Sequence, residues 1–123
     1  MTVWNGDRGE TYFYQSELPY DVTQANFGDM GYVSYRIADN VTAHAAYGAG
    51  VYTYFRDYAV TVETGIAAPE ALVGSFHSPL GVFLNGLGTM NHVINGHGDA
   101  TTTPLYGQPV YVCPDGDASA VEK

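Results

Sequence analysis

The sequence predicts an all-β fold built from short strands. Charged residues make up 14% of the 123 residues, whereas glycine occurs 15 times and tyrosine 11 times. Tyrosine, valine and threonine fit the pleated surface of a strand, and glycine supplies the positive φ angles of tight turns. Short alternations of apolar and polar residues recur along the chain. They follow one another so closely that no crossover helix fits between them, which excludes a doubly wound α/β fold.

Two predicted strands flank a long loop near the start of the chain. Residues 11–16 (TYFYQS) alternate until Pro19, which lacks a backbone N–H and begins a loop that runs through Gly31. Residues 32–37 (YVSYRI) alternate again, and the turn-forming residues 38–40 (ADN) end this second strand.

Further strands and one helical turn are predicted across the rest of the chain. Proline is tolerated in the first turn of a helix, so the stretch AAPEALV favours a single helical turn that begins at Pro69. The predicted strands are 41–44 (VTAH), 50–56 (GVYTYFR), 58–63 (YAVTVE), 81–84 (GVFL), 89–94 (TMNHVI) and 109–112 (PVYV), and the helical turn is 67–73.

Periodicity leaves two architectures open, an antiparallel sandwich and the coils of a parallel β-helix. The spacing between strand centres is irregular, and turns containing asparagine suit either architecture. The chain begins directly with a strand-rich segment and no capping element, so we expect it to be truncated at the N-terminus. The small polar residues 114–123 predict a disordered tail after one structured region, 1–113.

The charge balance restricts the partners. Thirteen acidic and four basic residues give a net charge of -9, which excludes a nucleic-acid partner and disfavours anionic membrane surfaces. A neutral polymer such as a glucan remains allowed, although the same charge could serve solubility alone. Cys113 is the one cysteine and cannot form an internal disulfide. The sequence contains no transmembrane run and no signal peptide.

Glu17 is the candidate acid. It lies at a strand end, between aromatic residues and before Pro19, where partial burial against tyrosine or leucine would favour a protonated side chain suited to general-acid chemistry. An ordinary exposed glutamate is the alternative. If 11–16 is extended, the Cα atoms of Glu10 and Glu17 lie about 20 Å or more apart. The carboxyls of a glycosidase pair lie roughly 5–9.5 Å apart, so Glu10 is excluded as the partner unless the chain bends sharply.

Other side chains carry weaker signals. Tyr52 and Tyr54 share one strand face, opposite the face that includes Val51, and one of the two sets should fill the core. The other set forms either a sugar-stacking surface or a second packed layer. His92 and His97 match no zinc-binding pattern, so we expect no metal and no cofactor.

Three segments, in order, resemble glycoside hydrolase family 55 and its relatives. Residues 9–20 (GETYFYQSELPY) are similar to that family's strand ending in Gln-Thr-Glu-x-Pro-Tyr, with Ser16 in place of threonine. Residues 48–58 (GAGVYTYFRDY) resemble its Gly-x-Gly-Val-Tyr-x-Phe-Phe segment, and 88–95 (GTMNHVIN) resemble its terminal rung. The resemblance covers roughly 3–96.

The resemblance implies a right-handed parallel β-helix of the pectin-lyase-like kind, of which this chain would be the carboxyl-terminal coils. It also implies inverting exo-hydrolysis of β-1,3-glucan by a secreted, extracellular enzyme. Glu17 would be the proton donor, and Gln15 and Tyr20 would shape the glucose subsite. The partners would be a β-glucan and the upstream part of the parent β-helix.

The departures from the family bear on activity. Family members are several times longer, and their water-positioning groups lie upstream of the segments matched here. The usual Val-Glu-His stretch about twenty residues before the donor is absent. We therefore expect the isolated chain to be inactive. A non-catalytic glucan-binding or structural β-module is the alternative, and a parent acting on another polysaccharide is a third reading.

Overall fold

A computed structural model describes residues 1–113, and almost all its regular structure is β-strand. The predicted disordered tail, 114–123, lies outside the described residues. The described strands are β1 (Thr2–Trp4), β2 (Gly9–Tyr12), β3 (Gln15–Glu17), β4 (Tyr35–Ile37), β5 (His44–Tyr47), β6 (Gly50–Phe55), β7 (Thr61–Ala67), β8 (Phe76–His77), β9 (Leu80–Gly86), β10 (Thr89–Ile94) and β11 (Pro109–Tyr111). A π-helical turn (Gln24–Gly28) and a 3-10 helix (Glu70–Ser75) interrupt them.

Every third strand from β1 to β10 returns to the same sheet, whereas β11 joins the sheet of β9. β1, β4, β7 and β10 form one sheet, β2, β5 and β8 a second, and β3, β6, β9 and β11 a third. Neighbouring strands pair in parallel, except that β11 runs antiparallel to β9. The all-β prediction is confirmed, and the parallel pairing excludes the antiparallel sandwich.

The core lies between the three sheets and is narrow. Alternate strand residues fill it with aliphatic and aromatic side chains, among them Val51 and Ile66, neither of which is exposed. Glycine is required where the sheets approach most closely. A Cβ atom at Gly65 would lie 2.6 Å from Met90 Sδ, and one at Gly81 would lie 2.5 Å from Met90 Cε. Met90 therefore occupies space that two missing side chains provide.

The strand predictions are confirmed where alternation is uninterrupted. β10 coincides with the predicted 89–94, and β6 differs from 50–56 by a single terminal residue. The helical turn is also confirmed, since the 3-10 helix follows directly after Pro69.

The prediction of one continuous strand over 11–16 is wrong. The chain bends at Phe13, whose φ is 53°, so β2 ends at Tyr12 and β3 begins at Gln15 in a different sheet. The sequence pattern does not show this corner, because apolar and polar residues alternate in the strands on both sides of it. The premise that kept Glu10 and Glu17 on one extended segment therefore fails.

The other boundaries differ because loops replace predicted strand ends. Residues 41–43 are not a strand: the Asp7 carboxylate accepts hydrogen bonds from the backbone N–H groups of Thr42 (2.6 Å) and Ala43 (3.1 Å). These bonds lower the pKa of Asp7. β4 and β7 start three residues later than the predicted 32–37 and 58–63, and β7 continues to Ala67. β1 and β8 were not predicted, because each is too short to show a period.

Candidate functional site

The candidate site lies on the outward face of the third sheet, where β3 forms the edge. β3 pairs with β6, which places Gln15 opposite Gly50 and Glu17 opposite Tyr52. Gln15 and Glu17 are both exposed, whereas Leu18 is only 2% exposed and packs in the core. The register therefore sends the two polar side chains outward on the same face.

Tyr20 holds the carboxylate of Glu17. Its hydroxyl donates a hydrogen bond to Glu17 Oε2. Its ring lies against Tyr54 with the centroids 5.0 Å apart, and its backbone oxygen accepts from the N–H of Arg56 at 2.9 Å. The hydrogen bond to Glu17 raises the pKa of Tyr20, with burial and the negative charge of Glu17 adding in the same direction. The phenol therefore stays protonated and available as a donor.

The amide of Gln15 is held at both ends. Its Nε2 donates to the backbone oxygen of Gly48 at 3.1 Å, and its Oε1 accepts from the hydroxyl of Tyr52 at 2.5 Å. Gly50 leaves the space for this amide, because a Cβ atom there would lie 2.6 Å from Gln15 Oε1. The sequence reasoning selected Tyr52 as a face residue but not as a partner of Gln15, which lies 37 positions away.

All three predicted site residues, Gln15, Glu17 and Tyr20, come together on this face. The predicted partial burial of Glu17 is wrong: the side chain is exposed, because the alternation of β3 turns Leu18 inward instead. The two faces of β6 are also distinguished. Val51 belongs to the face that fills the core, and Tyr52 lies half-buried on the outward face.

Glu10 is separate from this face. It lies on β2 in the second sheet, where its Oε2 accepts a hydrogen bond from the hydroxyl of Tyr12 at 2.5 Å. That bond raises the pKa of Tyr12. Glu10 and Glu17 thus form two similar carboxylate–tyrosine pairs on different sheets.

The histidines make other contacts. His92 Nε2 lies 3.5 Å from Glu63 Oε1, and His97 Nε2 lies 3.0 Å from Glu70 Oε1. The hydrogen bond from His97 is the main reason that the pKa of Glu70 is lowered. Across residues 1–113, no three His, Cys, Asp or Glu side chains are grouped so that they could hold a metal ion. The described part of the chain also has no helix long and apolar enough to cross a membrane.

The chain is similar to a known glucanase. It is 41% identical over 104 residues to an exo-β-1,3-glucanase of Streptomyces sp. (strain SirexAA-E / ActE), a match that covers 80% of this chain and 17% of that protein. The solved structures of sacteLam55A from Streptomyces sp. SirexAA-E, and of a variant of it in complex with glucose, each share 38% identity. Each has a TM-score of 0.77 and is matched over 90% of this chain and 21% of its own.

No protein-family model matches the chain. The chain spans about a fifth of the length of the relatives that it matches. The resemblance predicted from the three segments is nevertheless confirmed: in sequence and in fold, the chain is similar to one portion of an exo-β-1,3-glucanase of the family 55 type.

Proposed function

We propose that this chain is part of an extracellular enzyme that hydrolyses β-1,3-glucan by an inverting mechanism. The observation that carries the proposal is the outward face on which Gln15, Glu17 and Tyr20 meet, in a chain 41% identical to an exo-β-1,3-glucanase. The glucose complex of a variant of sacteLam55A supports a carbohydrate as the ligand class.

The proposed fold of the enzyme of which this chain is part is a right-handed parallel β-helix. The return of every third strand from β1 to β10 to the same sheet supports it, since each set of three strands then makes one coil. β1, β2 and β3 each leave one edge of their sheet unpaired among the described residues. We expect further coils of the parent protein to pair with these three edges.

In the proposed mechanism, the protonated form of Glu17 donates its proton to the oxygen that leaves the glycosidic bond, and the carboxylate that remains accepts the hydrogen bond of Tyr20. Tyr20 keeps the carboxyl group in place, because its hydroxyl contacts Oε2 while its ring rests on Tyr54. Gln15 contacts the sugar through the N–H donor and the Oε1 lone pair that its two intramolecular hydrogen bonds leave unused. Water attacks the opposite side of the sugar ring and is activated by groups outside this chain, as inversion requires.

A chimera tests the donor role of Glu17. The matched portion of the Streptomyces glucanase is replaced by the corresponding residues of this chain, and glucose release from laminarin is measured. We expect the chimera to be active and its Glu17→Gln form to lose about 10²- to 10⁴-fold in kcat, the usual contribution of a general acid. Glu10→Gln is the matched control, because Glu10 forms the same type of tyrosine pair on another sheet. Equal loss in both variants, or none in Glu17→Gln, would contradict the assignment.

The isolated chain should release no glucose from laminarin even at high protein concentration. The reason is that the groups that activate the attacking water are proposed to lie outside this chain. Glucose release that depends on Glu17 would show that the chain contains a complete site.

A non-catalytic glucan-binding or structural β-module is the second candidate. The exposure of Glu17 and the tyrosines on the neighbouring strand favour it. In that case Glu17→Gln would leave the turnover of the chimera unchanged.

A further inference from the structure

The amide of Gln15 has only one orientation that satisfies both of its neighbours. The backbone oxygen of Gly48 can accept but cannot donate, so the Nε2 group must face it. Oε1 then faces the hydroxyl of Tyr52, which donates to it at 2.5 Å. A reversed amide would place two acceptors together at Gly48 and lose that hydrogen bond, while the Tyr52 hydroxyl could still accept from Nε2.

The fixed orientation determines what Gln15 presents outward. A glutamine amide has two N–H donors and two lone pairs on Oε1, and one of each is used within the protein. One donor and one acceptor therefore remain. This neutral pair suits the hydroxyl groups of a sugar, each of which can donate and accept.

The strand register places Tyr52 where it can act on Gln15. Gln15 lies opposite Gly50, and Tyr52 follows two residues later on the same outward face of β6. The absence of a side chain at Gly50 lets the amide lie close to β6, within reach of the hydroxyl. Tyr52 is half-buried, so its ring is constrained by its surroundings.

We propose that Tyr52 is a positioning residue that holds the Gln15 amide in place, in the orientation that the Gly48 carbonyl sets, for recognition of a glucan hydroxyl. The proposal rests on the proposed function, because it assigns Gln15 to the sugar-binding face. Gly50 serves the same purpose by leaving the amide its space. Tyr52 acts through Gln15 and is not assigned a contact with the reacting atoms.

The test uses the whole chain, labelled with ¹⁵N, and laminaritriose as the probe. In Tyr52→Phe, the side-chain NH₂ signals of Gln15 should shift without ligand, while the backbone spectrum retains the fold. Laminaritriose should bind roughly 3- to 10-fold more weakly, the change expected for one lost hydrogen bond. Gly50→Ala should shift the same signals, because its Cβ would displace Oε1. Tyr32→Phe is the control, since its ring packs on Phe27 in the loop before β4.

A double-mutant cycle separates positioning from a general structural effect. If Tyr52 acts through Gln15, adding Tyr52→Phe to Gln15→Ala should cause no further loss of laminaritriose affinity. Additive losses, or unchanged Gln15 signals in Tyr52→Phe, would overturn the proposal. If the unmodified chain binds no laminaritriose and the chimera is inactive, the proposed function itself is wrong, and the role of Tyr52 in glucan recognition is overturned with it.

Discussion

At the scale of single residues, Tyr20 and Tyr12 each report on the charge of a neighbouring glutamate through their pKa. Each phenol donates a hydrogen bond to a nearby glutamate, and each has a raised pKa because of that bond and the carboxylate charge. The two pairs lie on different sheets, so that each carboxylate can be changed separately.

Glu17→Gln should lower the pKa of Tyr20 toward its ordinary value of about 10, because the charge that disfavours the phenolate is removed. The shift can be followed by a pH titration of the chain with ¹³C at the tyrosine Cζ positions. Glu10→Gln should lower the pKa of Tyr12 and leave that of Tyr20 unchanged. A Tyr20 titration that does not respond to Glu17→Gln would contradict the contact.

His44 should make the stability of the fold depend on pH. Its side chain is 5% exposed, its Nε2 lies 3.0 Å from the hydroxyl of Tyr35, and burial lowers its pKa. Its Nδ1 has no hydrogen-bond partner among the described residues. Below pH about 6.5 the unfolded chain therefore takes up a proton that the folded chain resists.

The contribution of His44 to the free energy of unfolding should accordingly be fully present above about pH 6.5 and should fall at lower pH. The slope due to His44 is at most about 1.4 kcal/mol per pH unit, the value for one proton. Urea unfolding of the wild type and of His44→Leu between pH 7.5 and 5.5 measures the effect as a difference, so that the other histidines cancel. Parallel pH curves for the two proteins would contradict it.

The site residues could be selected from the sequence, but their contacts could not. Gln15, Glu17 and Tyr20 lie within one short motif, and alternation alone places the first two on one face. The partnership with Tyr52 depends on the register between strands that lie 37 positions apart, which no local pattern specifies. The burial expected for Glu17 fails because the motif does not show which of its residues turns inward.

At the scale of the elements, side-chain amides replace missing strand partners. β4 pairs with β7 only near its end, at Ile66 and Ala67, so the start of β7 lacks a strand on that side. Gln24 covers it: its Oε1 accepts from the N–H of Thr61 at 2.7 Å, and its Nε2 donates to the oxygen of Thr61 at 3.1 Å. Asn95 makes the same pair of bonds with Ala68.

Gln24→Ala should reduce the free energy of unfolding by about 2–3 kcal/mol, since three hydrogen bonds of about 1 kcal/mol each are lost, two to Thr61 and one from Nε2 to Asp29 Oδ1. It should also speed hydrogen exchange at the Thr61 amide, because that N–H loses its acceptor. Gln24→Glu should have a smaller effect on this exchange, as it retains an oxygen for the Thr61 N–H. The idea is wrong if exchange at Thr61 is the same in the wild type and Gln24→Ala.

Strand boundaries follow from the sequence only where the backbone controls them. β6 is predicted well because it has ladder partners on both sides, and β10 because it pairs with β7 along its whole length. The start of β5 is instead set by the Asp7 carboxylate, 35 positions before Thr42. The break between β2 and β3 is set by the positive φ of Phe13, a bulky residue in which that conformation is uncommon.

At the scale of the whole molecule, glycines allow residues of different sheets to lie close together in the core. Gly65 belongs to the first sheet, and a Cβ atom there would also lie 3.1 Å from Val51 of the third sheet. Gly74, in contrast, is exposed, and a Cβ atom added there would have no neighbouring atom within 4 Å. The two glycines therefore differ in how much space surrounds them.

Gly65→Ala should destabilise the fold by about 1–3 kcal/mol, the usual cost of inserting a methyl group into a packed core. Gly74→Ala should change the free energy of unfolding by no more than about 0.5 kcal/mol, as expected for a surface position. Urea denaturation of both variants provides the comparison. Equal effects at the two positions would show that the spacing between the sheets is not limiting.

Fold class is predictable at this scale, but strand direction is not. Composition and alternation lead to an all-β chain because they reflect which side chains fit a pleated surface. The same alternation occurs in parallel and antiparallel pairs, so periodicity could not choose between sandwich and coil. The resemblance of three segments to known glucanases supplied that choice.

The register between β3 and β6 has a consequence for how such a site changes during evolution. A slip of one residue would turn Glu17 toward the core and bring Leu18 to the surface, whereas a change in turn length leaves the pairing intact. Insertions in the turns should therefore be tolerated better during evolution than any substitution at Gly50, where even one added methyl group would displace the Gln15 amide.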